Sequence, residues 1–393
     1  MNAINPNITA STQLSDLLAH AQDLCQYKAD YIGQAGKFTF LPDGTMTNKA
    51  EQTGLFASAS MTPGKLTEWA MNQAFEKLGK AYKEQGLKSM KSDYMRALEV
   101  AEPDLFALNM NRAIARVEDK EKWTVRTYTD PTTGQNTVRA VVSDQYLILD
   151  NVEMLQLLNQ VLTVQDALHR ISNRSFVTAD NMSVDVLFDD IETGKGNGNG
   201  QFKVGVRIRN GETGNWKGGI YPIAKRTSCD NSITTDNREM CFEFKHFGKN
   251  TAASKRVLMN AKIGEVLPFA ADIVNSLIEA EEYELPKFSD IVHGMAEKHG
   301  WSESFTGTVF AGSEARWSLA GLVNGITFAA HTQATSPEHM VESEFLAGDF
   351  LFGNAESMLE EAVAIHNSKT KREAAREARK QAKAAKTTTQ IEL

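Results

Sequence analysis

Trp123-Thr124-Val125-Arg126-Thr127-Tyr128, then Asp130-Pro131-Thr132-Thr133-Gly134, then Thr137-Val138-Arg139-Ala140-Val141-Val142 reads as strand, turn and returning strand. β-branched and aromatic residues flank a Pro/Gly turn, and the period is two rather than 3.6. Further extended runs follow at Val184–Phe188, Phe202–Arg209, Ile220–Ile223 and Met240–Phe244. Together they predict an antiparallel β-meander in the middle of the chain.

Helical spacing dominates on either side. A helical pattern covers Leu14–Tyr31. Thr62-Pro63 offers a cap and a first-turn proline ahead of Leu66, Trp69, Ala70, Ala74 and Leu78, one buried face. Helices are also expected at Ser92–Ala101, Val152–Leu168, Ser289–His299, Ser313–Ala330 and Asn354–His366. Ile263 to Ile278 is amphipathic, with a kink expected at Pro268. Segregated strands and helices give an α+β class: a central antiparallel β-meander flanked by helices, with a helical C-terminal part and a basic tail. The expected divisions are an irregular or helical segment at 1–62, an α+β core at 63–335, a helix at 336–367 and a flexible tail at 368–393.

Charged residues are 23% and hydrophobic ones 41% of the 393, which excludes a disordered chain. No apolar run is long enough to span a bilayer and no signal peptide opens the sequence, so a cytoplasmic protein is expected. Cys25, Cys229 and Cys241 form no disulfide framework. Cys229, Cys241 and His246 lack the short spacings of a zinc site, and no metal or cofactor is expected. The formal charge is −8, unevenly spread. Eight cations against two acids between Lys369 and Lys386 leave that stretch at +6 and the rest of the chain at −14.

No nucleophile elbow, metalloprotease helix or kinase signature occurs, so no catalytic residue is assigned. Gly194–Gly200 lacks the Lys-Ser/Thr of a phosphate loop and reads as a loop tip. Asp189-Asp190 and Glu281-Glu282 are adjacent acids that point apart. The predicted strands carry more. Arg126 and Arg139 flank the first turn, and Lys203, Arg207 and Arg209 share one strand face. Lys217, Lys225 and Arg226 follow, with Trp216 and Tyr221 among them. Cations along a backbone with rings for base stacking suit single-stranded nucleic acid; rings in a core and cations in solvent are the plainer alternative. In the tail, Arg372, Arg376, Arg379 and Lys380 form either a solubilising extension or an arm for phosphates.

Three stretches resemble a phage/plasmid-like protein family of unknown function. Arg139-Ala140-Val141-Val142-Ser143-Asp144-Gln145-Tyr146, running to Asp150-Asn151, is similar to that family's Arg-Ala-x-x-Ser-Asp-Arg-Tyr segment, with Gln145 in place of arginine. Asn210-Gly211-Glu212-Thr213-Gly214 resembles its Asn-Ser-Glu-x-Gly turn, with Gly211 for serine, and leads on to Arg226–Ser232, where the family tends to have Cys-x-Asn-Gly. Asn324-Gly325-Ile326-Thr327, leading to His331, looks like its Asn-Ala-x-Thr helix and following histidine. The likeness spans roughly residues 90–335.

The resemblance implies mobile-element DNA metabolism in a bacterial cytoplasm: a non-enzymatic protein binding or annealing single-stranded DNA, with self-association. In that reading Asn210, Glu212 and Gly214 shape the turn that presents the cations. Two other classes stay open. One is an enzyme using Asn210, Glu212, Cys229 and Asn231 around a small ligand. The other is a structural or host-interaction protein of the element.

Overall fold

The computed structural model describes residues 9–48, 61–84, 92–116, 121–164, 169–193, 202–227, 231–244, 261–314 and 316–391. Its strands form two sheets rather than one meander. The six-stranded sheet is ordered β2 (Lys28–Gln34), β6 (Lys122–Thr129), β7 (Asn136–Ser143), β5 (Gly64–Leu66), β4 (Thr45–Asn48) and β3 (Phe38–Phe40), antiparallel except where β5 meets β7. The eight-stranded sheet runs β1 (Thr9–Ala10), β9 (Phe176–Val177), β10 (Asn181–Thr193), β11 (Phe202–Gly211), β12 (Gly218–Arg226) and β13 (Ser232–Thr234). In it β8 (His169–Ile171) pairs with β10, and β14 (Phe242–Phe244) with β12. Helices together with largely antiparallel sheets make this an α+β fold with a helical C-terminal part.

The expected hairpin is present, with its turn closed by Gly134 at φ +69°. It pairs outward with β2, however, and not with the later strands. Lys28–Tyr31 closes the expected helical pattern but lies in strand β2. The helix stops at Cys25, because the following Lys28–Gln34 finds seven strand partners on β6. Strands β3 and β4 likewise place N-terminal residues inside the sheet, where irregular structure was expected. The helix expected from Thr62-Pro63 begins later, at Glu68. Thr67 caps it, its Oγ1 accepting from the Ala70 amide at 3.1 Å.

In the eight-stranded sheet β10, β11 and β12 are long neighbours in register, Val206 facing both Val186 and Pro222. Gly205 is needed there, since a Cβ would lie 2.0 Å from the Val186 carbonyl oxygen. One face of this sheet packs Val184, Val186, Val206 and Ile208 against helices Leu14–Cys25 and Asn151–Val164. Helix Pro337–Phe352 lies against the opposite face. Near Pro268 the expected kink is a break: 261–266 is helical and Phe269–Glu279 resumes after it. The stretch expected as one helix from Ser313 opens instead with Leu319, capped by Ser318, and a separate helix, Glu303–Gly312, precedes it.

The closing helix runs from Ala355 to Ile391, through the stretch expected as a flexible tail. Its first turns seat on helix Phe288–His299 at Gly294, where a Cβ would stand 1.9 Å from the Ala362 carbonyl oxygen. No described helix is long and apolar enough to cross a membrane.

Candidate functional site

Two of the resembling stretches converge. The turn after β11 reaches from the eight-stranded sheet into the six-stranded one, and Glu212 at its tip is fully buried. Lys28 Nζ on β2 donates to both its oxygens at 2.7 and 2.8 Å. Arg139 Nη1 on β7 donates at 3.1 Å, and the backbone amide of Asn151 at 2.8 Å. Arg139 Nη1 also reaches Asp180 Oδ1 at 2.9 Å. Arg126 Nε donates to Asp30 Oδ1 at 2.8 Å and its Nη1 to the Glu212 carbonyl at 2.6 Å, while Nη2 pairs with Asp150.

Three cations and four carboxylates thus tie the sheets together. Burial opposes the charge on Arg126, but Asp150 and Asp30 reverse this and hold its pKa above the ordinary arginine value. Asn210 Nδ2 donates to the Leu149 carbonyl and to Asn151 Oδ1, both at 2.9 Å. Gly214 takes φ +77°, the left-handed bend that turns the chain back. Trp69 Nε1 and Gln73 Nε2 clamp the tip by donating to the Thr213 carbonyl at 3.0 and 2.9 Å.

A second buried cluster lies under helix Pro337–Phe352. Arg207 Nε and Nη2 grip Asp185 at 2.6 and 2.8 Å, Nη1 pairs with Glu344, and Glu344 Oε1 lies 2.8 Å from His331 Nε2. Burial pushes Glu344 up, but Arg207 and His331 outweigh it and hold the carboxyl below its usual value. His331 belongs to the third resembling stretch, so this stretch serves a cluster of its own.

The sequence reading expected cations and rings on one exposed sheet face, and the structure does not form that face. Arg126, Arg139, Arg207, Trp216, Tyr221 and Lys225 are buried. The three arginines are neutralised by carboxylates, and Lys225 Nζ donates to Ser172 Oγ and Asn173 Oδ1, both at 3.2 Å. Arg126 and Arg139 stand in a different sheet from the rest. Lys203 and Arg226 are half-buried, with Arg226 over the Phe202 ring at 5.3 Å. Lys217 is exposed but bonds Glu243 at 2.9 Å. Arg209 is half-buried over the Trp216 ring, its Nε without a hydrogen-bond partner and no carboxylate paired to it among the described residues.

The physical reason is charge balance: Asp30, Asp150, Asp180, Asp185 and Glu344 come from other elements to meet the strand cations. Sequence inspection missed all but Asp150. A lysine and an aspartate at alternating positions of Lys28–Gln34 could have marked that segment as a strand.

Every carboxylate of the two clusters is paired with a cation. The Cys241 thiol is pushed up to about 12 by burial, which leaves it un-ionised. Among the described residues no three His, Cys, Asp or Glu side chains are grouped to hold a metal. Gly194–Gly200, Cys229 and His246 lie outside the described residues, as do the side chains of Asp189 and Asp190.

What remains is the closing helix. From Lys371 to Glu377 every residue is exposed, including Arg372 and Arg376. The side chains of Arg379 and Lys380 lie outside the described set. Where the helix passes Glu297, whose Oε2 accepts from Lys369 Nζ at 2.6 Å, a groove of about 280 Å³ is lined by Lys369, Arg372, Glu373 and Arg376. Compared with protein-family models, with curated proteins and with solved structures, the chain finds no match.

Proposed function

We propose that this chain is a non-enzymatic nucleic-acid-binding protein that engages phosphates with its closing helix rather than with its sheets. In this reading it serves single-stranded DNA during recombination or replication of a phage or plasmid. The observation that carries it is the full exposure of Lys371–Glu377 on the closing helix, in the stretch whose balance is +6. A helix of 37 residues is roughly 55 Å long at about 1.5 Å per residue. Arg372 and Arg376, exposed on it, offer phosphates two cations on one helix. The −14 carried by the remainder repels a polyanion elsewhere. The mobile-element setting rests on the resemblance alone.

Fluorescence anisotropy of labelled oligothymidylate tests it, over a salt series. Full-length protein should bind with a log–log slope of magnitude up to about 4, from roughly 0.7 per phosphate neutralised. A chain ending at Asn367 and the double variant Arg372→Glu/Arg376→Glu should lose most of the affinity and flatten the slope. Equal binding by all three overturns the reading.

A further inference from the structure

Arg207 and Arg209 sit two residues apart on β11 and so share a face, yet their surroundings differ. Arg207 has two carboxylates. Arg209 has rings: its guanidinium carbon lies 3.9 Å from the Trp216 centroid and 4.9 Å from that of Phe345. Its Nε is buried without a hydrogen-bond partner, and no described residue accepts from its outer nitrogens. Burial pushes its pKa down, as expected for a guanidinium short of counter-charge.

A second unused donor stands beside it. Gly219 is registered opposite Arg209, and a Cβ there would lie 2.8 Å from the Tyr221 hydroxyl oxygen. Tyr221 therefore folds back over Gly219 towards Arg209, and its hydroxyl makes no hydrogen bond among the described residues. The acids that act on Arg209, Glu342 and Asp236, do not reach ion-pair distance, and Glu342 already accepts from Trp216 Nε1 at 3.1 Å.

A rigid guanidinium braced by aromatic rings, next to a free hydroxyl, is a donor set for one oxyanion. We infer that Arg209, with Tyr221, forms a binding position for a single oxyanion group, a phosphate or a carboxylate, at the edge of helix Pro337–Phe352. The ring contacts hold the fork, the anion supplies the missing counter-charge, and the Tyr221 hydroxyl takes one further oxygen. This position is separate from the closing helix and stands whether or not that helix binds nucleic acid.

The test uses full-length protein and tryptophan fluorescence, since the guanidinium stacks on Trp216. Inorganic phosphate and acetate are titrated against chloride at matched ionic strength. A saturable change is expected in the parent protein, absent in Arg209→Met and in Trp216→Phe, with several-fold weaker affinity in Tyr221→Phe. Without added oxyanion, Arg209→Met should melt within about 2 °C of the parent, because the arginine has no carboxylate to strand. A response to neither oxyanion beyond chloride overturns the proposal. So does an Arg209→Met protein as unstable as Arg207→Met, which would make the arginine a structural brace. An oligothymidylate arm in the Arg372→Glu/Arg376→Glu background identifies the source. A saturable signal there assigns the position to a nucleic-acid phosphate, and none assigns it to a small free oxyanion.

Discussion

Glu212 Oε2 and Arg139 Nη1 meet at 3.1 Å across the join between the two sheets, on side chains almost wholly removed from water. A carboxylate in that position is tolerated because Lys28 and the Asn151 amide complete its shell. The contact makes Glu212 part of the interior, with Thr213 buried beside it and Gly214 exposed where the chain turns back.

Neutralising that carboxylate therefore has a large expected effect. Glu212→Gln keeps the shape but leaves Lys28 and Arg139 short of an anion, and should cost about 3–5 kcal/mol. Urea unfolding measures it; an unchanged midpoint would show that the cluster does not hold the sheets.

The second cluster predicts an acid limb. Glu344 is held below its usual 4.5 by Arg207 and His331, against the upward push of burial. A lowered carboxylate pKa contributes stability that is fully present above about pH 4.5 and lost as pH falls through the folded-state value. Thermal melts from pH 7 down to pH 3 should show that loss, and Glu344→Gln should flatten it while lowering stability at neutral pH. A parent and variant with parallel pH curves would refute this.

Asp349 predicts the opposite slope. Burial and Asp236 push its carboxyl up to about 6. A raised carboxylate pKa favours the fold most below the usual 3.8, and that contribution is lost as pH rises through about 6. Asp349→Asn should thus stabilise by about 1 kcal/mol at pH 8, after allowance for solvent screening, and by little at pH 4. Melts at the two pH values decide it, and an equal effect at both would count against the assignment.

Gly294 sets the seat of the closing helix. Gly294→Ala puts a methyl against the Ala362 carbonyl and should cost about 1–3 kcal/mol through overpacking. Hydrogen exchange should rise along the first turns of Ala355–Ile391; unchanged protection there would mean the seat adapts.

Much of the framework was legible in the chain. The hairpin Lys122–Ser143, strand β11 and the helix Ser92–Ala101 follow from local period, turn residues and branched side chains, which need no distant partner to be read. The closing helix was half legible: alanines among cations permit helix, and its seating depends on Gly294, 68 residues from Ala362. The candidate site was not legible in the same way. Arg126, Arg139 and Arg207 look in sequence like cations on solvated strands. Only the folded chain brings Asp30, Asp150, Asp180, Asp185 and Glu344 onto them, because a buried charge recruits its counter-charge through space and leaves no spacing rule. By itself the sequence determined the α+β class, the central hairpin and the split between an acidic body and a basic end. The tertiary structure alone decided that the strands form two sheets, and that Arg209 stands over rings with its Nε buried and unpartnered.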